Sequence, residues 1–343
     1  MMGSGRRISY IDAMRGMTMI LVVYSHVCHF CLGDSLMGFN RIFYLFRLPC
    51  FFFISGWLFE PVSSRPFWQV TRRKFMVQIV PTVIFLLLLA PPPEFFHQTG
   101  TLKGGYWFTF VLFEFFLMNM FSVRCCRRWG LLFALAVTVG AFVYDTWRHE
   151  LRVGGQYGWL LDGAGLLSVA LWRFYLFFYI GTWVRRHFDD FVRWTSRWWV
   201  VASVAAGFFA ISLTQHPAEP WLEFLRFSCG GVLGMVMVFT CFRLLSPRME
   251  GGALWRGLQY VGTRTLDIYL LHYFFLPRFL MAYGQQLRAY GSQSLEFLAI
   301  MVVALAVLAV SLAVSYVIRL SPFLGHYLFG VKYDSKAEKN CRA

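Results

Sequence analysis

The chain has 343 residues, 58% hydrophobic, 20% aromatic and only 14% charged, with a formal net charge of +15. Soluble domains carry roughly a quarter charged residues, so this composition, with a mean hydropathy of +0.56, excludes an ordinary soluble enzyme and predicts an integral membrane protein. In a soluble chain the basic excess would point to nucleic acid. No nucleic-acid partner is expected here, because the positive charges alternate between loops.

A helix needs about 20 apolar residues to cross a bilayer. Ten segments meet that need: 11–32, 41–60, 74–91, 106–123, 130–147, 169–185, 197–214, 224–243, 264–284 and 294–318. The predicted fold is therefore all-α, a polytopic membrane helix bundle with about ten transmembrane helices. The first apolar segment lacks a small-residue cleavage site and is expected to stay as a span.

That first segment holds Asp12, Arg15, His26 and His29 in otherwise apolar surroundings. Eleven residues separate Arg15 from His26. At 100° and 1.5 Å per residue they lie about 20° apart around the helix and about 16 Å apart along it. Asp12 sits one turn below Arg15 on the same side. A lipid-facing stripe would not carry an acid, a guanidinium and an imidazole. Taken singly, Arg15 also reads as a snorkelling anchor and His26 as a structural hydrogen-bonding group. The run HVCHFC is not read as a metal site, because its two His and two Cys point in four directions around the helix and a zinc site needs convergent ligands.

Later segments carry further polar residues. Arg47 lies in FRLPCFFFISG, where Pro49 frees a backbone carbonyl and Ser55-Gly56 permits close packing. Arg72, Arg73 and Lys74 precede the third span, as topology anchors or as a grip on a phosphorylated ligand. Trp107 and Glu114 occur in YWFTFVLFE. Arg173 and Arg226 fall in the sixth and eighth spans, and Arg264, Asp267 and His272 in TRTLDIYLLH. These residues sort into an outer layer (His26, Arg47, Glu114, Arg173, Arg226) and an inner layer (Asp12, Arg15, Arg264, Asp267, His272). Two layers predict two chambers meeting in the membrane.

Charge placement orients the bundle. Of the 32 Lys and Arg, 22 fall in alternate connections and tails, 6 in the opposite connections and 4 within spans. The positive-inside rule puts both termini in the cytoplasm. Two regions follow: a transmembrane domain over 1–320 and a short basic cytoplasmic tail over 321–343. The eight cysteines sit in apolar runs or expected cytosolic loops, so no disulfide framework is predicted.

The order D-A-M-R-G, ten residues from Arg15 to His26, FRLPCFFFISG, YWF, then TLDIYLLH resembles the acyltransferase-3 family of ten-span bacterial membrane acyltransferases, over about residues 8–320. The resemblance implies transfer of an acyl group, commonly acetyl, from cytosolic acyl-CoA to a hydroxyl of a cell-envelope or exported glycan, at the bacterial inner membrane. The family's essential Arg and His correspond to Arg15 and His26, its second-helix arginine to Arg47, and its CoA-linked basic cluster to Arg72, Arg73 and Lys74. Gln78 stands where a second arginine of that cluster is expected, and YWFTFVLFE departs from the family pattern around Glu114. The chemistry expected is acyl transfer without metal. His26 acts as base or transient acyl carrier, with Arg15, Arg47, Asp12 and Glu114 beside it. Acetyl-CoA would be held by Arg15, Arg72, Arg73, Lys74 and His272. A glycan or lipid-linked saccharide would be held by Arg47, Trp107, Arg173 and Arg226. Membrane lipids, and possible copies of the chain in a homo-oligomer, complete the expected partners. The competing reading is a secondary transporter of organic anions or lipid-linked sugars, since buried Arg, His and Asp also serve proton relays.

Overall fold

A computed structural model describes residues 8–60, 65–89, 105–126, 128–153, 164 and 167–331. Every regular element among them is helical. In chain order these are α1 (Ser9–Cys31), α2 (Asn40–Phe59), α3 (Phe67–Lys74), a π-helical turn (Phe75–Ile79), α4 (Val80–Leu89), α5 (Trp107–Cys125) and α6 (Gly130–Val153). A 3₁₀ segment (Val169–Phe174) leads into α7 (Tyr175–Arg186), α8 (Phe188–Thr195), α9 (Trp198–Leu213) and α10 (Pro220–Met249). Then come α11 (Ala253–Thr263), α12 (Thr265–Leu271), two short 3₁₀ segments, α13 (Gly284–Ala289), α14 (Gln293–Arg319) and α15 (Pro322–Phe329).

The chain is a multi-pass membrane protein. Among the described residues α2, α5, α6, α10 and α14 are each long and apolar enough to cross a bilayer, and α8 with α9, bent by 83°, makes a sixth span if the pair counts as one. The other expected spans are helical too but are polar or broken. Helix α1 buries Asp12, Thr18 and Ser25. The third span is interrupted by the π turn, and the sixth enters through the 3₁₀ segment.

The ninth span departs from the sequence reading, which places it over 264–284 with Arg243 to Arg264 in a loop. Helix instead occupies Ala253–Thr263 and Thr265–Leu271 and gives way near His272. Pro277 has no N–H to continue a helix and disfavours the α conformation before it.

Helix α1 is central and packs against α2, α10, α11 and α14. Glycines set the tightest crossings. A Cβ on Gly16 would lie 1.9 Å from the Leu258 carbonyl oxygen, and one on Gly262 would lie 1.9 Å from that of Asp12, so α1 and α11 touch backbone to backbone. Gly56 and Gly181 do the same for α2 and α7, against the carbonyls of Phe178 and Phe53 at 2.0 Å each. In lipid, helices associate through such close packing rather than through hydrophobic exclusion. Aromatic pairs add to the packing, with Phe52 stacked on Phe174 at 5.3 Å and Phe59 tilted against Phe116 at 4.6 Å between centroids.

Candidate active site

Three cavities follow one another along α1. The largest, about 600 Å³, lies toward the C-terminal end of α1 and includes His26, Tyr44, Arg47, Trp107 and Tyr273 in its wall. A second, about 220 Å³, lies toward the N-terminal end and includes Arg15, Ser55, Lys74, Gln78 and Thr109. Between them is a gap of about 30 Å³ lined by Met19, Val22, His26, Leu48, Phe51, Gly105, Trp107, Phe108 and Tyr269. The gap shares His26 and Trp107 with the large cavity, and Phe51, Phe108 and Tyr269 with the small one. The gap therefore borders both chambers, as a neck between them. Helical geometry places Arg15 on one chamber and His26 at the neck, eleven residues further along the same face.

His26 is held by a hydrogen-bonded chain. Its Nδ1 lies 2.7 Å from Nε2 of His272, and Nδ1 of His272 lies 2.9 Å from the carbonyl oxygen of Ile268. A carbonyl only accepts, so Nδ1 of His272 carries the proton and its Nε2 carries a lone pair. His26 therefore donates from Nδ1, and its own Nε2 is the unprotonated nitrogen. The Tyr273 hydroxyl stands 3.5 Å from that Nε2 and donates to the Gly105 carbonyl at 3.0 Å. His272 is thus a neighbour of His26. It does not stand with Asp267 in the inner layer and does not line the Arg15 chamber, as the expected donor-binding role requires.

Tyrosines of the same stretch fix the neck. Tyr269 donates to the Gly105 carbonyl at 2.9 Å and accepts from the Phe108 N–H at 3.1 Å, and Tyr106 donates to the Leu270 carbonyl at 2.7 Å. They pin the first turn of α5 against α12. Gly105 takes a φ of +99°, which favours glycine. Sequence reasoning does not single out Tyr269 or Tyr273. Their spacing of four from each other, around a histidine, is the available signal.

In the large chamber Arg47 donates to Oδ1 of Asn40 at 2.6 Å. Asn40, also unanticipated, is fixed by donating to the Ser35 carbonyl at 2.6 Å and the Ser25 hydroxyl at 3.4 Å. In the Arg15 chamber the Lys74 ammonium lies 3.9 Å from the Phe116 ring centroid, a cation–π contact. Gln78, at the π turn, donates to the Thr109 carbonyl at 2.9 Å and ties that turn to α5. π-helical turns widen a helix and recur at functional sites.

Other expected site residues stand apart from this line. Glu114 accepts from Nε1 of Trp172 at 2.7 Å and lines neither chamber. Arg173 pairs with Asp145 at 3.1 Å in a separate cavity of about 340 Å³. Arg226 pairs with Glu223 at 3.2 Å and donates to the Thr214 hydroxyl at 3.0 Å, behind the chamber wall formed by His216. Asp12 is buried, with its backbone against Gly262, outside the chamber walls. Arg72 and Arg73 are exposed beside Lys74. Asp267 receives a two-pronged grip from Arg319 at 2.6 and 2.8 Å, with Arg264 at 3.8 Å, a structural ion pair.

His26 thus stands between two chambers, each with a guanidinium on its wall. The acyltransferase-3 family model, described as an acyltransferase domain, matches residues 8–320. The chain belongs to this family. No curated protein and no solved structure matches it. As an acyltransferase-3 protein it is a membrane acyltransferase, and its candidate site is the pair of chambers around His26.

Proposed function

We propose that this acyltransferase moves an acetyl group from cytosolic acetyl-CoA, through the neck, to a hydroxyl of a cell-envelope or exported glycan at a bacterial inner membrane. Ten spans and cytoplasmic termini put the Arg15 chamber on the cytosolic side and the Arg47 chamber on the outer side. The observation that carries the reading is the bare Nε2 of His26 at the narrow point between the chambers.

The Arg15 chamber suits the donor. Its wall alternates apolar rings with Ser55, Gln78, Thr109, Arg15 and Lys74, which matches an amide-bearing pantetheine arm. The exposed Arg72 and Arg73 lie next to it for phosphate groups. Acetyl-CoA supplies an activated thioester. The neck, at about 30 Å³, has room for a water molecule or two. It takes a two-carbon acyl group more readily than a long chain.

His26 Nε2 takes the proton of the acceptor hydroxyl as its oxygen bonds to the thioester carbonyl carbon. The C–S bond then breaks, and the proton passes from His26 to the departing thiolate. His272 keeps the imidazole in the Nδ1–H tautomer throughout. The first turn of α5 borders the neck through Trp107 and Phe108. The positive end of its helix dipole therefore lies where the carbonyl oxygen gains negative charge.

The test is calorimetric binding of acetyl-CoA to the protein in lipid nanodiscs, beside His26→Ala and Arg15→Ala. Saturable binding near micromolar, kept by His26→Ala and weakened by Arg15→Ala, is the expected result. Absence of binding to folded protein would overturn the donor assignment and return weight to transport.

A further inference from the structure

The Arg47 chamber holds two guanidinium groups, and its His216 faces Glu223 at 3.1 Å. Its wall includes Arg47, Arg278, His29 and His216 and, among the described residues, no carboxylate. Four carboxylates of neighbouring segments among the described residues are engaged elsewhere. Asp34 pairs with Arg288, Glu223 with Arg226 and His216, Asp145 with Arg148 and Arg173, and Glu296 accepts from the Gly38 N–H at 2.7 Å. Among the described residues Arg47 makes one hydrogen bond, to the neutral Asn40, and lies 6.0 Å from the Tyr44 ring centroid. A guanidinium has five N–H donors in a planar fork. Four have no partner among the described residues, and Asn40 holds the fork in place. Arg278 stands exposed on the same wall with no side-chain partner among the described residues. A guanidinium within a membrane protein with no counter-charge marks a ligand site.

We propose that the acceptor of this reaction is anionic: a phosphate or carboxylate on it docks on the fork of Arg47, with Arg278 at the approach, and so brings a neighbouring hydroxyl to Nε2 of His26. Arg47 lines the large chamber and not the neck, so it holds the acceptor and not the thioester. The inference rests on the acyltransferase reading above. The group pairing with Arg47 stays bound and is not transferred.

The probes are glucuronate, pyrophosphate and the neutral methyl glucoside. Binding is read from tryptophan fluorescence and melting temperature in neutral-lipid nanodiscs, and comparison with Arg47→Gln separates the Arg47 chamber from the donor chamber. Glucuronate or pyrophosphate is expected to bind at least tenfold tighter than methyl glucoside. That preference is expected to be lost in Arg47→Gln, retained in part in Arg47→Lys, and weakened in Arg278→Gln, whose side chain is exposed. Equal binding of neutral and charged probes, no anion binding by folded protein, or a preference unchanged in Arg47→Gln would overturn the proposal. If nanodiscs of phosphatidylglycerol abolish probe binding, a lipid headgroup occupies the fork and the acceptor assignment fails. Acetyl-CoA binding measured on the same samples separates this failure from failure of the donor site.

Discussion

His26 and His272 form one unit, in which the second imidazole does the work of a carboxylate partner by accepting the Nδ1 proton of the first. General base catalysis is worth about 10²–10⁴-fold, so His26→Ala is expected to lower kcat by that range while acetyl-CoA affinity holds. His272→Ala is expected to lower kcat less and to leave KM for acetyl-CoA unchanged. His272→Gln, whose amide oxygen can also accept from Nδ1, should recover most of the rate. Thiol release from acetyl-CoA checks all three variants. A loss in His272→Gln equal to that in His272→Ala would show that packing, not the tautomer, is what His272 supplies. The Arg15–His26 relation is legible in the sequence, because a straight helix fixes which residues share a face. The His26–His272 bond is not. It depends on how the helix Thr265–Leu271 and the turn at His272 seat against α1, a contact between segments 246 residues apart. Arg173 and Arg226 resemble open binding groups only because Asp145 and Glu223, their partners, lie in segments whose contacts no local pattern reveals.

At the scale of elements, backbone contact between helices governs stability. Gly16→Val would drive a side chain into the Leu258 carbonyl, where no side chain can yield. Overpacking a core costs about 1–3 kcal/mol even where side chains can move. Gly16→Val and Gly181→Val are therefore expected to yield little folded protein, read by size-exclusion profile and melting temperature in detergent. Gly140→Val, where a Cβ would meet nothing within 4 Å, should behave as wild type. Asp267→Asn weakens the grip of Arg319, and breaking a buried pair costs about 3–5 kcal/mol. A clear fall in melting temperature is expected, and an unchanged one would mean that α12 and α14 are held by apolar packing alone. The segment boundaries of α2, α5, α9 and α14 lie within a residue or two of the apolar runs. The breaks at the π turn and before Tyr175 leave no such trace, because a change of hydrogen-bond register leaves the hydrophobic pattern intact.

For the whole molecule, the two-chamber plan makes separable predictions about path and orientation. Val22→Trp would fill the neck, and is expected to abolish transfer while acetyl-CoA binding persists. Octanoyl-CoA is expected to be at least tenfold poorer than acetyl-CoA as donor, and Leu48→Ala to narrow that gap. Equal use of both donors by the wild type would show that the neck opens during turnover. Reporter fusions at residue 1 and after residue 331 are expected to read as cytoplasmic; opposite sides for the two ends would exclude an even number of spans. By itself the sequence determined that the chain is a helical membrane protein, that its apolar runs form helices and which family its motifs resemble, because hydropathy, periodicity and short motifs are local properties. Only the tertiary structure decided that His272 joins His26, that Asn40 aims Arg47, and that the chambers meet at a neck of about 30 Å³. Depth, cavity volume and ion pairing are set by how glycine crossings seat one helix against another, and that seating is a property of pairs of helices rather than of any single run of residues.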